Sequence, residues 1–401
     1  MSSSDLPPAA APRSAPLDAL RSLLTLLVVA HHAVLAYFLY LPPPGAFDAR
    51  LVWGAFPIID PARAPGVDAL LLWNDSFFMA LLFLLAGLFT GPSLRRKGTG
   101  GFVGDRFMRL GVPFVVSAAV LAPLAYYPAY LQRAAATPAD GFVEAWARLG
   151  VWPAGPAWFL WVLLAFSGIV ALLHAAAPRV GDALGRLGDW CAARPARLVG
   201  VWVVLALLAY VPVVMRVNPM VWSSWGPFFV QTSRVGLYAA YFLFGVALGW
   251  RGTGLRELVA PEGPLARRWV RWQVAAGVGF VAFMAAVIVA AIKASRGQFS
   301  PEWNLAASAL MAASGVLTSA GLLAWAARKR GVENALWASL RRNAYGIYLV
   351  HYAVVVWLQY ALLPVAWPGL AKALVVTAAG IALSWALAAA LRRLPGLRRV
   401  L

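Results

Sequence analysis

Long apolar runs alternate with short polar segments over almost the whole chain. Ten of these runs are long enough to form helices that cross a bilayer, which takes about 20 residues each. They cover residues 17–41, 68–92, 107–130, 153–176, 198–216, 234–250, 268–293, 302–327, 341–362 and 370–391. The apolar positions are continuous rather than alternating, which favours helices over the strands of a membrane barrel. The pattern therefore predicts an all-α integral membrane protein with about ten transmembrane helices.

Composition and charge agree with this prediction and orient the helices. Hydrophobic residues make up 62% of the 401 positions and charged residues only 12%, whereas soluble domains carry about 25%. Most of the 34 Lys and Arg residues lie in alternate loops, and such loops face the cytoplasm. Both termini are therefore predicted to be cytoplasmic, with the protein in the cell (inner or plasma) membrane. The same distribution explains the net charge of +19, so nucleic acid is not an expected partner.

The remaining composition limits domains and cofactors. Residues 1–16, rich in Ser, Pro and Ala, predict a disordered cytosolic tail, and residues 394–401 a short basic one. Residues 17–393 between them are expected to form a single transmembrane domain. Cys191 is the one cysteine, which excludes an internal disulfide. The four histidines have no carboxylates at metal-ligand spacing, so no metal is expected.

A row of polar residues follows one face of the first predicted span. Arg21 and His32 differ by about 20° around a helix and about 16 Å along it, and Asp18 and Thr25 fall on the same stripe. Taken separately, each residue has a structural explanation. Arg21 can anchor the helix at the membrane edge, and His32 can form a hydrogen bond to another helix. Their alignment favours function, because ionisable residues inside a membrane are costly. A neutral imidazole there is suited to act as a general base.

A second basic cluster precedes the third predicted span. Lys97 and the glycines of residues 98–104 predict a flexible loop that leads to Arg106 and Arg109, three residues apart on one face. Two guanidinium groups beside such a loop form an anion site suited to phosphates. The alternative is the ordinary basic charge of a cytoplasmic loop.

Two further polar residues are candidates to assist His32: Asp75, expected near its depth, and His351, about ten residues in from the cytoplasmic edge of the ninth span. Asp75 can orient His32 as in a catalytic relay, or pair with an arginine such as Arg234 in the outer interface. His351, three residues after Tyr348 in the ninth span, is either a packing histidine or a group that orients His32 or stabilises an oxyanion.

Aromatic residues at the outer end of the fourth span also allow two interpretations. Trp158 and Trp161 belong to a chain with 19 Trp residues, many of them at predicted membrane interfaces. Such positions are typical of the aromatic belts of membrane proteins. The same two rings could instead form the floor of a sugar-binding cleft.

Five stretches, in this order, resemble the membrane-bound acyltransferase 3 family. They are Asp18-x-x-Arg21 with Arg21-x10-His32, Phe77-Phe78 with Leu85-Ala86-Gly87, Arg106-x-x-Arg109 before Pro113-Phe114, Trp158-Phe159-Leu160, and Tyr345-Gly346-Ile347-Tyr348-Leu349-x-His351. The resemblance spans nearly the whole chain, and around the second span it is closest to the branch that modifies periplasmic glucans and other polysaccharides. The hydrolase-like domain appended in some members is not expected here. Ala86 stands where the family usually has serine, and His31 leaves open which imidazole acts, although the spacing selects His32.

The resemblance implies an acyl-CoA-dependent membrane O-acyltransferase. Such an enzyme moves an acyl group, usually acetyl, from cytosolic acyl-CoA to a hydroxyl of an extracytoplasmic glycan or related acceptor. On this interpretation the CoA phosphates are bound by Arg21, Lys97, Arg106 and Arg109, the base is His32, and Asp75 and His351 assist it. The alternative is a transporter. The lack of an inverted repeat and the small number of acidic residues within the spans argue against it. The acceptor, the acyl chain, and the choice between monomer and homodimer stay open.

Overall fold

The computed structural model describes residues 14–40, 45–48, 57–134, 141–329 and 334–397. In chain order the helices are α1 Ala15–Val34, α2 Val67–Leu88, α3 Thr90–Arg106, α4 Val112–Val116, α5 Ala122–Ala134, α6 Phe142–Arg148, α7 Trp158–Ala176, α8 Pro178–Ala192, α9 Pro195–Val214, α10 Val235–Trp250, α11 Thr253–Val259, α12 Trp269–Ser295, α13 Pro301–Lys329, α14 Ala335–Ala361 and α15 Gly369–Leu391. Two strands, β1 Trp222–Trp225 and β2 Phe228–Gln231, form an antiparallel hairpin that pairs Trp222 with Gln231. The protein is therefore an all-α integral membrane protein with one small hairpin.

Each of the ten predicted spans coincides with a helical stretch. Within the described residues, eight stretches are long and apolar enough to cross a membrane. The other two of the ten are α10, which has only 16 residues, and α14, which carries Arg341, Arg342 and Asn343 in its first turns. Most of the predicted N-terminal tail, residues 1–13, and the end of the C-terminal tail, residues 398–401, lie outside the described residues.

The prediction of a flexible loop before the third span is wrong. Helical structure runs almost without interruption from Thr90 to Arg133, broken at Gly98, whose φ is 68°. Glycine is a poor helix former, but here tertiary packing outweighs that preference. Phe102 is fully buried, and the Lys97 ammonium lies 2.8 Å from the Asp105 carboxylate across the break.

Two π-helical turns, Phe107–Gly111 and Ser117–Leu121, connect α3, α4 and α5. Each is followed within two residues by a proline, Pro113 and Pro123. Proline has no backbone N–H to donate, so the regular helical ladder is interrupted there. The first π turn carries Arg109, one of the arginines of the predicted anion site.

Helix α1 lies inside the bundle, where it packs against α2, α13, α14 and α15. Glycines let the neighbouring helices approach closely, as is common in membranes. A Cβ added to Gly245 of α10 would lie 2.3 Å from the Leu84 carbonyl oxygen of α2, and one added to Gly249 would lie 1.9 Å from that of Leu88. The polar face of α1 is therefore enclosed by other helices instead of facing lipid.

A short segment covers the predicted outer end of this bundle. The Gln132 side chain bonds both the N–H and the carbonyl of Ile59, at 3.2 and 2.7 Å. The Lys372 ammonium of α15 pairs with the Asp60 carboxylate at 2.8 Å, and both side chains are almost completely buried. These contacts hold residues 57–60 against the helix ends.

Candidate active site

Two histidines from distant parts of the sequence meet beside α1. The Nε2 atom of His351, on α14, lies 3.3 Å from Nδ1 of His32, on α1. The buried Gln359 side chain fixes the two helices at this level, because its amide donates to the carbonyl oxygens of His32 and Ala33 at 2.8 and 3.0 Å. His351 therefore contacts His32 directly.

The partners of the two rings determine their tautomers. His351 Nδ1 lies 2.6 Å from the Tyr348 carbonyl oxygen, and His32 Nδ1 lies 2.9 Å from that of Val28. A carbonyl oxygen only accepts, so both Nδ1 atoms carry protons. In the neutral rings, the one proton on His32 Nδ1 is shared between the Val28 carbonyl oxygen, at 2.9 Å, and His351 Nε2, at 3.3 Å, while Nε2 of His32 keeps its lone pair. A histidine whose tautomer is set by a second group is the arrangement of a general base.

A small cavity of about 50 Å³ lies next to His32. Its polar wall consists of His32, Tyr126 and Tyr352, and the two tyrosine hydroxyls are 3.5 Å apart. Its apolar wall includes Trp158 at the start of α7 and Trp222 of the hairpin, whose rings meet edge-on with centroids 6.0 Å apart. Trp158 thus lines a cavity beside the imidazole in addition to any contact with the membrane interface.

A much larger cavity of about 580 Å³ lies at the predicted cytoplasmic end. Four arginines line it, namely Arg21 of α1, Arg96 and Arg106 of α3, and Arg109 of the first π turn. Two carboxylates reduce this charge only in part, since Asp18 pairs with Arg21 at 3.1 Å and Asp105 with Arg109 at 3.3 Å. The cavity therefore keeps a positive wall suited to an anion.

Lys97, predicted to bind the CoA phosphates, is not among the residues that line this cavity. The Lys97 ammonium is held by Asp105, whereas Arg96 reaches the cavity wall. Arg95 packs over the Trp250 ring, with its guanidinium carbon 5.3 Å from the ring centroid. Three consecutive basic residues thus have three different surroundings. The sequence carries no signal that selects Arg96, because consecutive residues of a helix point about 100° apart and only the packing of this helix decides which of them meets the cavity.

Asp75 takes the second of its two predicted positions. Its Oδ2 atom lies 2.5 Å from Arg234, which also donates to the Asp75 backbone carbonyl at 2.7 Å. His31, the neighbour of His32 in the sequence, stacks on Phe78 of α2, with the two ring centroids 5.0 Å apart. The two consecutive histidines therefore point to different helices, and His32 is the one that reaches His351.

Tyr348 lies between the two cavities. It forms part of the wall of the large cavity, and its hydroxyl donates to the Pro156 carbonyl at 2.5 Å. Pro156 in turn lines the small cavity. On α1, Arg21 and Thr25 line the large cavity and His32, two helical turns further, lines the small one. One polar stripe thus connects both compartments.

Comparison with known proteins assigns this arrangement to a family. Residues 15–389 match the family model described as an acyltransferase domain. The chain belongs to the acyltransferase 3 family. It is therefore a membrane acyltransferase, a class of enzyme that uses an acyl donor as co-substrate. Among curated proteins and solved structures the comparisons find no match.

In this acyltransferase several site residues fall outside the family-like stretches. Arg96, Tyr126 and Trp222 line the two cavities, yet no motif in the sequence selects them from the residues around them. Tyr126 lies at a predicted membrane depth where aromatic residues are common, and Trp222 lies in a loop between spans. Within the described ranges, no group of three or more His, Cys, Asp or Glu side chains is arranged to hold a metal ion.

Proposed function

We propose that this enzyme transfers an acyl group, acetyl in the simplest case, from cytosolic acyl-CoA to a hydroxyl of an extracytoplasmic glycan or related acceptor. One observation carries the proposal: α1 contributes Arg21 to an arginine-lined cavity at one end and His32 to a separate cavity further along. A donor site and an acceptor site connected by one helix are what a transfer across the membrane requires.

The large cavity is suited to the CoA portion of the donor. Four guanidinium groups present paired N–H donors that match phosphate oxygens. A volume of about 580 Å³ falls in the usual range for small-molecule sites. With the phosphates at Arg106 and Arg109, the pantetheine arm would run along α1 from Arg21 toward His32, roughly 16 Å by helical rise.

The chemistry at the histidine pair is proposed as a direct transfer. His32 Nε2 takes the proton of the acceptor hydroxyl, and the oxygen attacks the thioester carbonyl carbon. The new C–O ester bond forms as the C–S bond breaks, and the thiolate of CoA receives the proton from His32. His351 accepts the His32 Nδ1–H throughout and so stabilises the imidazolium that forms.

The test is acetyl transfer by the purified protein from labelled acetyl-CoA, with a cell-envelope extract as acceptor. Replacement His32→Ala is expected to lower the rate by about 10²- to 10⁴-fold, the usual contribution of a general base. His31→Ala is the matched control, because the His31 ring meets that of His32 edge-on at 5.5 Å and stacks on Phe78, but lines neither cavity. Its rate should stay within a few fold of wild type.

Two outcomes would contradict the proposal. Near-normal transfer by a well-expressed His32→Ala protein would remove His32 from the mechanism. Wild-type protein that consumes no acetyl-CoA under any condition would favour the transporter alternative. The acceptor can be identified from a deletion strain, whose envelope glycans should lack an ester-linked acyl group that the parent strain carries.

A further inference from the structure

The cavity beside His32 is too small to hold a sugar ring. Its volume is about 50 Å³, and on this measure one water molecule takes roughly 10–15 Å³. Sites that enclose a whole small molecule are about 300–1,000 Å³. Only a few heavy atoms of an acceptor fit next to the imidazole.

The wall of this cavity matches a short polar arm on an apolar stem. His32, Tyr126 and Tyr352 supply one ring nitrogen and two hydroxyls, which can bond a single entering hydroxyl. The remaining surface comes from proline, alanine and aromatic side chains, among them Trp158 and Trp222. A methylene group is well accommodated by such a surface.

From this geometry we propose that the cavity accepts the hydroxymethyl arm of a sugar and that the enzyme therefore esterifies primary hydroxyls. A secondary hydroxyl is bonded to a ring carbon, so the ring would have to enter the cavity with it. A primary hydroxyl stands one carbon further out and can reach His32 while the ring stays outside. The inference rests on the proposed transfer to a glycan and specifies which of its hydroxyls reacts.

The hairpin sets the size limit through Trp222. Its strands are fixed at the base, where the Ser223 and Thr232 hydroxyls are 2.8 Å apart and Trp161 Nε1 donates to the Phe229 carbonyl at 2.7 Å. Trp222, at this fixed end, lines the cavity beside Trp158, whose ring it meets edge-on. Trp225, three residues further at the tip, is 67% exposed and lies outside the cavity wall. Trp225 therefore provides a control in the same hairpin.

The experiment compares two acceptors that differ only in the arm. Purified wild-type protein is given acetyl-CoA with methyl β-glucopyranoside or methyl β-xylopyranoside, and the products are located by NMR. Wild type is expected to esterify the glucoside at its primary hydroxyl and to act at least tenfold more slowly on the xyloside, which lacks the arm. Trp222→Ala should lower this ratio at least fivefold and add esters at ring hydroxyls. Trp225→Ala should leave the ratio unchanged.

Primary hydroxyls react faster than secondary ones in general, so a preference of the wild-type enzyme for the glucoside is not sufficient evidence. The deciding quantity is the glucoside-to-xyloside rate ratio of Trp222→Ala compared with that of wild type. The proposal is overturned by equal wild-type rates on the two sugars, or by a ratio that Trp222→Ala leaves unchanged while the variant binds acetyl-CoA normally. Transfer to neither sugar, by protein that esterifies envelope glycan, also overturns it. Absence of acetyl-CoA consumption even with envelope glycan would instead refute the proposed function itself.

Discussion

The two cavities of this acyltransferase differ in size, charge and walls, although one helix contributes to both. The cavity at the predicted cytoplasmic end holds about 580 Å³ and four arginines, whereas the one beside His32 holds about 50 Å³ and is lined by aromatic and proline residues. A large cationic space is suited to a bulky, highly charged donor, and a small one to a single reacting group. Under the proposed function, most of the binding energy would come from the donor, and the acceptor would be selected by shape.

The largest effect that distinguishes the two compartments is expected at His351. His351→Ala removes one of the two acceptors of the His32 Nδ1 proton, the other being the Val28 carbonyl, so the imidazolium that forms during transfer is less well stabilised and kcat should fall on the order of 10²-fold. The KM for acetyl-CoA should change little, because His351 is not part of the large cavity. Steady-state kinetics with both substrates measure this.

A conservative variant tests whether His351 acts by accepting a hydrogen bond from His32 or only by filling space between the helices. His351→Gln keeps a side-chain oxygen that can accept from His32 and should recover most of the lost kcat. If the Gln variant is as slow as the Ala variant while folding normally, His351 acts in a different way.

An intermediate effect is expected among the basic residues. Arg96→Ala or Arg106→Ala should raise the KM for acetyl-CoA by about 10- to 100-fold, since a hydrogen bond to a charged group contributes about 1.5–3 kcal/mol. Lys97→Ala is the matched control, because the Lys97 ammonium pairs with Asp105 and should contribute less than about 1 kcal/mol. An equal rise in KM for Lys97→Ala would mean that Lys97 contacts the donor.

The smallest effect concerns the boundary between the cavities. Tyr348→Phe removes one hydrogen bond, to the Pro156 carbonyl, with a net value of about 0.5–1.5 kcal/mol. We expect unproductive hydrolysis of acetyl-CoA to rise about 2- to 10-fold relative to transfer, because water from one compartment reaches the thioester more easily. Tyr345→Phe, which removes a hydrogen bond to the Arg109 carbonyl within the large cavity, should leave the ratio of hydrolysis to transfer unchanged.

Sequence reasoning succeeded where the relevant residues belong to one element. The ten helical stretches follow from the length of the apolar runs, and the Asp18–Arg21–Thr25–His32 stripe follows from the period of one helix. It failed between Gly98 and Arg106, where packing of Phe102 stabilises helical structure in a glycine-rich stretch. It also named Lys97, whereas Arg96 is the residue that lines the large cavity, since the packing of a helix decides which of its consecutive side chains faces a cavity.

What the sequence determined by itself was the membrane class, the positions of the ten helical stretches, the family and the face of α1 that carries His32. The tertiary structure decided what that face meets. The contact of His32 with His351 spans 319 positions, and the pairing of Asp75 with Arg234 spans 159. Such pairs depend on how each helix is rotated against its neighbours, which local periodicity does not specify. For the same reason, the size of the cavity under Trp222 became visible only in the folded protein.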